Sequence, residues 1–224
     1  MNRKLIEDID KKKQEFFFNG FFEIEIKKTL FLKDLLTKLE IYYSNDKSQL
    51  DEFKQSYTNT FDLNADSNFL DEIVKFAINE NIPQIVNKIT GLDYVLGDAV
   101  LRKSYDNVSY MPWHRDTYLD KDKNLVGRIP PLVKVIFFPQ FDEKASHEFS
   151  ILEGSSRRVF KNYFIDKLQK FFWKEKKIFQ SNEKFIVFDS SCIHQAEPCD
   201  NLNGSFRLIY NFCEKSQIGS FKGR

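Results

Sequence analysis

The sequence has few cysteines and no long apolar run. Its three cysteines, Cys192, Cys199 and Cys213, are too few, and odd in number, for the disulfide framework of a small secreted protein. No apolar run reaches the length of a membrane-spanning helix, and residues 1–8 lack the continuous apolar core of a signal peptide. We therefore expect reduced thiols and a cytoplasmic protein.

The chain also lacks an excess of charge of either sign. Its 34 Lys and Arg residues nearly balance its 33 Asp and Glu residues, so no overall field draws the protein onto nucleic acid or an anionic membrane. We expect a small-molecule substrate, no nucleic-acid partner and no membrane partner; the sequence carries no signal for an oligomeric state. A hydrophobic content of 42% over 224 residues favours a single globular domain spanning residues 1–224.

Residues 1–90 favour helices. Apolar residues recur at helical spacing in several segments, and one segment alternates apolar and charged residues as a half-exposed strand does. Pro83 lies at the start of the last of these segments, where the first turn of a helix favours proline. We expect this region to cover one face of the sheet that follows. The helices are expected at 3–17, 30–43, 47–57 and, as a pair, 66–89, and the strand at 21–27.

After Gly91 the hydrophobic period changes to that of strands. Residues 117–130 are polar and indicate a loop, whereas residues 157–180 return to helical spacing and predict a helical insertion. Helices followed by short strands predict an α+β fold whose second part, residues 91–214, is a sandwich or barrel. A jelly roll would bring its distant strands together at one mouth. The strands are expected at 94–105, 131–139, 148–153, 184–189 and 205–212.

A His-x-Asp pair, His114 and Asp116, follows a strand-like segment. In extended backbone, residues two apart project to the same face, so an imidazole and a carboxylate can meet a single ion there. His194, after another strand-like segment, is the candidate third ligand. Two histidines and one carboxylate on one side of an ion form the facial triad of non-heme Fe(II) oxygenases. Arg207, in the last apolar run, is a candidate for binding an anion.

These residues in this order, together with the Gly154-Ser155 turn after a strand, resemble the Fe(II)/2-oxoglutarate oxygenases. The phytanoyl-CoA dioxygenase-like branch is the most similar. The resemblance covers about residues 93–214. It implies a double-stranded β-helix, which is a cupin-like jelly roll, flanked by the N-terminal helices.

The same resemblance implies the chemistry. With O₂, the cosubstrate 2-oxoglutarate becomes succinate and CO₂, and an unactivated C–H bond of the substrate is hydroxylated. Halogenating relatives have a small residue where this chain has Asp116, so hydroxylation or a related desaturation is favoured. Many relatives read Gly-Ser-His where this chain has Ser156 in the third position. The implied roles are Fe(II) ligation by His114, Asp116 and His194, and binding of the distal carboxylate of 2-oxoglutarate by Arg207.

Other residues around the motif are weaker candidates, and each has a structural alternative. Aromatic residues beside a strand end more often belong to the core. Arg115 and Arg128 are candidates for an anionic substrate, but we expect each to be an exposed charge. Asn211 shares a face with Arg207 by strand alternation and is a candidate for the barrel mouth. The remaining candidates are Trp113 and Tyr118 for the substrate pocket, Lys103 and Tyr105 for the cosubstrate, and His147 in a predicted surface turn.

Three other functions remain open from the sequence. A cupin-like metal protein or isomerase would keep the barrel and the metal without 2-oxoglutarate, and Arg207 would then be structural. A non-enzymatic interaction domain would make the triad accidental. A zinc site formed by Cys192, His194 and Cys199 uses suitable ligand types, but its spacing matches no common pattern and it leaves the His-x-Asp pair unexplained.

Overall fold

Ten strands form two antiparallel sheets in the part of the chain that the structure describes. The structure is a computed structural model that describes residues 3–26, 33–35, 37, 38, 41, 59–61, 67–104, 111–116, 132–138, 148–160, 162–179, 183–196 and 205–215. The strands are β1 (Phe21–Glu25), β2 (Asn59–Phe61), β3 (Tyr94–Ser104), β4 (Met111–His114), β5 (Leu132–Phe137), β6 (Glu148–Leu152), β7 (Glu175–Phe179), β8 (Lys184–Asp189), β9 (His194–Ala196) and β10 (Ser205–Glu214).

Neighbouring strands in both sheets are distant in the chain. The large sheet has the order β1-β8-β5-β10-β3-β2, and the small sheet has the order β4-β9-β6-β7. The chain therefore passes repeatedly from one sheet to the other, which is the winding of a double-stranded β-helix. The predicted α+β jelly roll is confirmed.

The central strands of the large sheet bury both of their faces. On β5, Val133, Val135 and Phe137 pack in a first core with the helices, whereas Ile136 and the following residue Phe138 pack in a second core with the small sheet. The strands β8 and β10 alternate in the same way, because successive side chains of a strand point to opposite faces. A strand buried on both faces reads as an almost continuous apolar run.

Helices cover the outer face of the large sheet, as the sequence predicts. Ile73 and Phe76 of the second helix and Val86 of the third are buried in the first core. The hydroxyl of Tyr210 on β10 donates to the carbonyl oxygen of Ile73 at 3.1 Å, which ties sheet to helix. None of the described helices is long and apolar enough to cross a membrane. The helices are α1 (Arg3–Asn19), α2 (Ser67–Asn79), α3 (Ile82–Thr90) and α4 (Tyr163–Leu168).

The N-terminal region also extends the sheet. The predicted strand at 21–27 is β1, which pairs with β8 at one edge, and the unpredicted β2 pairs with β3 at the other. Of the helix expected at 30–43, the described residues 33–35, 37, 38 and 41 are helical. The helix expected at 47–57 lies outside the described residues.

The prediction of a helical insertion over residues 157–180 is wrong for its last part. The short helix α4 and a 3₁₀ turn, Gln169–Phe171, are followed by β7 at the edge of the small sheet. Lys176 and Lys177 of β7 are exposed, whereas Ile178 is buried. Edge strands often carry exposed lysines that discourage pairing with another chain. Such a strand has too few apolar residues to show its period in the sequence.

A tight turn joins α1 to β1 at Gly20. Gly20 has φ of +84°, and a Cβ atom added there would lie 2.1 Å from Sγ of Cys192. The carbonyl oxygen of Gly20 accepts the backbone N–H of Asp189 at 2.9 Å. The absence of a side chain at Gly20 therefore lets the N-terminal turn lie directly against the segment that precedes His194.

We expect the substitution Gly20→Ala to lower the free energy of unfolding by about 2–5 kcal/mol, because strain at positive φ adds to a steric clash in a packed region. The matched control is Gly91→Ala. Gly91 has φ of +74° but no atom within 4 Å of an added Cβ, so only the backbone strain of about 1–2 kcal/mol applies. Urea unfolding of both variants measures the difference, and equal losses would contradict the prediction.

Candidate metal centre

Two histidines from different parts of the chain face each other in the small sheet. The strands β4 and β9 pair antiparallel, and their register places His114 opposite His194. The centroids of the two imidazole rings lie 4.3 Å apart. The chain leaves β4 after His114, and the backbone N–H of Asp116 donates to the carbonyl oxygen of Ser190 at 3.2 Å. The strand pairing and this hydrogen bond bring the His-x-Asp pair beside the distal histidine.

The three side chains converge on one point. Oδ1 of Asp116 lies 3.5 Å from Nε2 of His114, and Oδ2 of Asp116 lies 3.2 Å from Nε2 of His194. The three ligand atoms lie within 4.8 Å of one another, and no second group of this kind occurs among the described residues. The structure thus unites the residues that the sequence singles out, and their role as metal ligands stays a prediction.

Backbone carbonyls orient both imidazoles. Nδ1 of His114 lies 2.7 Å from the carbonyl oxygen of Pro112, and Nδ1 of His194 lies 2.9 Å from that of Cys192. A carbonyl oxygen only accepts, so each Nδ1 must carry the proton that it donates. Each Nε2 then keeps its lone pair and directs it to the point of convergence. This is the usual arrangement behind a histidine that binds a metal.

The electrostatics of the site keep Asp116 charged and His194 neutral. Burial by itself favours the protonated form of Asp116, whose side chain is 18% exposed, but the adjacent imidazoles of His194 and His114 and the charge of Lys134 hold the pKa of Asp116 well below its usual value. Burial lowers the pKa of His194, and Asp116 opposes this shift. A carboxylate beside a neutral imidazole is the protonation state that a divalent metal requires.

A turn over residues 190–193 sets the position of His194. Each backbone N–H group of this turn donates a hydrogen bond to another group of the protein. Those of Ser191 and Cys192 donate to Oδ1 and the carbonyl oxygen of Asp189, each at 2.8 Å. That of Ile193 donates to Oγ of Ser155 at 2.8 Å. The predicted Gly154-Ser155 turn therefore supports the segment that carries His194.

Ser156, at which this chain departs from the Gly-Ser-His sequence of the family that it resembles, also lies against this turn. Its side chain lies beside the carboxyl group of Asp189 and the thiol of Cys192, where it opposes the rise in pKa that burial causes in both groups. Its contacts are therefore with the support of the site, and its small size suits the close approach of Gly20, whose added Cβ would lie 3.0 Å from Oγ of Ser156.

Arg115 is buried, which corrects the prediction of an exposed charge. Its guanidinium faces away from the triad and makes a bidentate ion pair with Asp166 of α4, with N–O distances of 2.8 and 3.0 Å. It also donates to the carbonyl oxygens of Ser155, Ser191 and Arg158. Arg115 thus joins the His-x-Asp segment to the His194 turn and to α4. A sequence motif shows that an arginine is present. It does not show which distant groups accept its hydrogen bonds and so make its burial favourable.

Asp166 also accepts hydrogen bonds from nearby residues of its own segment. It accepts hydrogen bonds from Nε2 of Gln169 at 2.6 Å and from the backbone N–H of Phe160 at 3.0 Å, in addition to those of Arg115. Gln169 in turn accepts from Nε1 of Trp173 at 2.7 Å. A continuous set of hydrogen bonds therefore runs from Arg115, next to the candidate ligands, through Asp166 and Gln169 to Trp173.

Two cations share a cavity with the triad. Arg207, on the face of β10 that points to the small sheet, is buried and lines this cavity, as does Lys134 of β5. Nζ of Lys134 lies 2.9 Å from Oδ2 of Asp116. Sequence reasoning missed Lys134, although a lone lysine inside the apolar run Leu132–Phe138 was a usable signal. The remaining walls are apolar: Ile136, Phe149, Phe188, Ala196 and Ile209.

The weaker candidates lie in varied places. Asn211 donates to Oδ1 of Asp98 and does not line the cavity of the triad. Trp113 is half-buried and lines a neighbouring pocket of about 170 Å³ with Lys167 and Lys170, and His114 lines both this pocket and the cavity of the triad. Tyr105, Tyr118, Arg128, His147 and the side chain of Lys103 lie outside the described residues.

The cysteines do not support the zinc alternative. The thiol of Cys192 is buried against the carbonyl oxygen of Gly20 at 3.6 Å. Burial raises the pKa of the Cys192 thiol to about 12, whereas zinc binds the thiolate. Cys199 lies outside the described residues.

Comparisons with known proteins identify the fold. Neither a scan against models of protein families nor a search of curated proteins found a match. Solved structures do match, at low sequence identity. The non-heme alpha ketoglutarate dependent epimerase SnoN from nogalamycin biosynthesis aligns with a TM-score of 0.72 and 7% identity, over 93% of this chain and 84% of that one.

Two further structures show the same likeness. The non-heme alpha ketoglutarate dependent carbocyclase SnoK aligns with a TM-score of 0.66 and 8% identity, over 91% of this chain and 83% of that one. HygX from Streptomyces hygroscopicus, solved with nickel, 2-oxoglutarate and hygromycin B bound, aligns with a TM-score of 0.65 and 14% identity, over 96% of this chain and 88% of that one. The chain therefore has the jelly-roll fold that these 2-oxoglutarate-dependent enzymes share.

We expect Arg115→Met to lower the free energy of unfolding by about 3–5 kcal/mol, because it leaves the buried Asp166 carboxylate without its charged partner. The double variant Arg115→Met/Asp166→Leu should recover part of this loss, since no unpaired charge remains. The recovery is incomplete because the Phe160 N–H and Nε2 of Gln169 lose their acceptor. Lys184→Met is a matched control, because the Lys184–Glu23 pair has the same 2.8 Å separation but its side chains are partly exposed, at 42% and 28%. It should cost less than about 1 kcal/mol. Urea unfolding of the metal-free proteins measures these changes, and equal costs for the two single variants would contradict the prediction.

Asp189 should make stability depend on pH. Burial raises the pKa of Asp189 from 3.8 to about 6, against the opposing effects of Ser191 and Arg115. Because the folded pKa lies above the unfolded one, its contribution to stability is fully present below the unfolded pKa and is lost as the pH rises through about 6. Asp189→Asn removes the ionisation and keeps an acceptor oxygen for the Ser191 N–H.

The unfolding free energy of Asp189→Asn, relative to wild type, should therefore increase by about 2–3 kcal/mol between about pH 4 and about pH 8. Urea unfolding of the metal-free proteins across this range measures it. A difference that stays constant with pH would show that Asp189 titrates alike in the folded and unfolded states.

Proposed function

We propose that this protein is a non-heme Fe(II)- and 2-oxoglutarate-dependent dioxygenase that hydroxylates an unactivated C–H bond of a small-molecule metabolite and releases succinate and CO₂. The observation that supports the proposal is the convergence of two imidazoles and one carboxylate on a cavity whose other charged groups are cations. The fold shared with 2-oxoglutarate-dependent enzymes is consistent with it.

The side chains fit a ligand face of Fe(II). Ligand atoms on one face of an octahedron with bonds of about 2.1 Å lie about 3.0 Å apart. The separations from Asp116 to the two histidines, 3.5 and 3.2 Å, are close to this value. Nε2 of His114 is buried and has no hydrogen-bond partner among the described groups, which suits a lone pair reserved for a metal. His114, Asp116 and His194 are thus the proposed ligands, and the opposite positions would remain open.

The charge of the cavity fits a dicarboxylate. Lys134 and Arg207 bring two positive charges to a cavity in which Asp116 is the negative residue. A divalent ion would add further positive charge, so a doubly negative ligand balances the field better than a neutral one. In this proposal the guanidinium of Arg207 binds the distal carboxylate of 2-oxoglutarate through two charge-assisted hydrogen bonds. Lys134 keeps the carboxylate of Asp116 oriented.

The reaction divides between the cofactors and the chain. Iron, 2-oxoglutarate and O₂ together supply the oxidation of the C–H bond. The residues of the chain bind and orient these groups, and the apolar side chains of Ile136, Phe149 and Phe188 exclude water from the site. Asp116 supports hydroxylation in particular, because it provides the carboxylate that halogenating relatives lack.

The solved structures support the cofactors and the substrate class. SnoN has been solved in complex with Fe³⁺, alpha ketoglutarate and nogalamycin RO, and HygX with nickel, 2-oxoglutarate and hygromycin B. Each of these structures therefore contains a metal, 2-oxoglutarate and a further small molecule. A small-molecule substrate without nucleic acid is our proposal for this chain as well. Membership of the phytanoyl-CoA dioxygenase-like branch and a cytoplasmic location both stay predictions.

Anaerobic titration of the apoprotein with Fe(II) and then 2-oxoglutarate tests the function. We expect a visible metal-to-ligand charge-transfer band on addition of 2-oxoglutarate. His114→Ala should weaken iron binding by more than about 100-fold. Substitution of a residue that only supports a metal ligand already lowers metal affinity by about 10- to 100-fold. Arg207→Met should keep the iron and weaken 2-oxoglutarate binding by roughly 10- to 100-fold.

Two variants serve as controls in this titration. His147→Ala removes the third histidine of the chain, and Arg157→Met removes an exposed arginine; neither should change the band. Iron binding without a band would indicate a cupin-like metal protein instead. Absence of iron binding would show that the triad is not a metal centre. If the band forms, succinate release from candidate metabolites identifies the substrate.

A further inference from the structure

Residues 160–172 expose an unusual amount of apolar surface. Of the ten large hydrophobic side chains that are exposed in the described part of the chain, six lie in this segment. Phe164, Phe171 and Phe172 are the most exposed of them, at 69%, 70% and 83%. Together with Phe160, Ile165 and Leu168 they form what we call the aromatic patch. Contiguous exposed apolar side chains mark an interaction site more often than chance exposure.

Cations surround the aromatic patch. Residues 157–177 contain eight Lys and Arg residues and two acidic residues, Asp166 and Glu175. Asp166 is buried in its ion pair with Arg115, so it does not offset the exposed positive charge. Nζ of Lys170 lies 5.0 Å from the ring centroid of Phe171, which shows that charge and apolar surface are adjacent. Glu175 is exposed, and Glu153 lies 3.6 Å from Nζ of Lys174, so these two carboxylates offset part of the charge. The near-neutral chain therefore has a local surface with a net positive charge.

We propose that the aromatic patch and its surrounding lysines bind the surface of an anionic lipid membrane. Aromatic and apolar side chains next to clustered Lys and Arg are the composition of interfacial membrane-binding segments. Protein interfaces, by contrast, are enriched in arginine and depleted in lysine. Here Lys167, Lys170 and Lys174 are exposed beside the exposed phenylalanines, so charge complementarity favours anionic lipid over a protein partner.

The segment is held firmly enough to present these side chains. Oδ1 of Asn162 caps α4 by accepting the backbone N–H groups of Phe164 and Ile165 at 2.9 and 3.3 Å. On its inner side, Asp166 is bound to Arg115, which lies between His114 and Asp116 of the metal centre. Membrane contact would thus take place on a segment joined rigidly to the strand that carries two of the proposed ligands.

This inference does not rest on the proposed function, and it revises the expectation of no membrane partner. That expectation came from the net charge of the whole chain. Interfacial binding depends instead on the local charge within about one Debye length of the surface. It needs no membrane-spanning helix.

Co-sedimentation of the full-length protein with lipid vesicles tests the proposal. The vesicles are phosphatidylcholine alone or phosphatidylcholine mixed with phosphatidylserine. We expect the protein to pellet only with the anionic vesicles and to be released by added salt. Phe171→Ser/Phe172→Ser and, separately, Lys170→Glu/Lys174→Glu should each lower the partition coefficient by at least roughly tenfold.

Phe18→Ser is the matched control, because Phe18 is 62% exposed on α1, outside the patch. It should leave vesicle binding unchanged, and thermal unfolding should show that all variants are folded. The proposal fails if wild type does not pellet with anionic vesicles, if the patch variants bind as well as wild type, or if Phe18→Ser loses as much binding. A dimer in sedimentation velocity that the Phe171→Ser/Phe172→Ser variant disrupts, without vesicle binding by wild type, would assign the patch to a second copy of the chain.

Discussion

The pairing register of β4 and β9 is the constraint on which the candidate metal centre depends. It sets His114 opposite His194, and a shift by one residue would turn the side chains of one strand to the other face of the sheet. Neither strand is long, so the pair alone does not secure this register. The strand β6 pairs with the other edge of β9 and places Ile151 opposite His194. Hydrogen bonds of the turn over residues 190–193 then hold the start of β9 against Asp189 and Ser155.

Buried polar groups behind the site give it rigidity at a cost in desolvation. Arg115 and Asp166 would be unfavourable in an apolar interior by themselves. Their bidentate contact, and the carbonyl oxygens around Arg115, satisfy the guanidinium on all sides. Ligand geometry must be held closely for metal binding, and side chains locked by such contacts meet that need. A neutral, apolar replacement would pack as well but would not join three separate segments.

The segment that follows the Gly154-Ser155 turn has two opposite faces with different tasks. Asp166 and Gln169 point inward and are buried, whereas Phe164 and Phe171 point outward and are exposed. In this segment the residues of the inner face are spaced for hydrogen bonding, and the apolar residues at helical spacing lie on the outer face. The usual pattern, in which the apolar face is the buried one, is therefore reversed here. An exposed apolar face on a segment anchored by buried polar groups is what an interaction surface requires.

The local sequence was enough to predict the strands that are buried on both faces and the helices that cover the sheet, because these follow from apolar periods of two and 3.6 residues among neighbours in the chain. It was also enough to single out His114, Asp116, His194 and Arg207 by residue type and order. Only the tertiary structure decided that Lys134 meets Asp116, that Arg115 is buried, and that β7 is an edge strand rather than a helix. The reason is physical: a lysine in a strand or an arginine beside a histidine has the same local signature whether it is exposed or buried, because its partner comes from a distant segment. Strand pairing and the packing of the two sheets choose that partner.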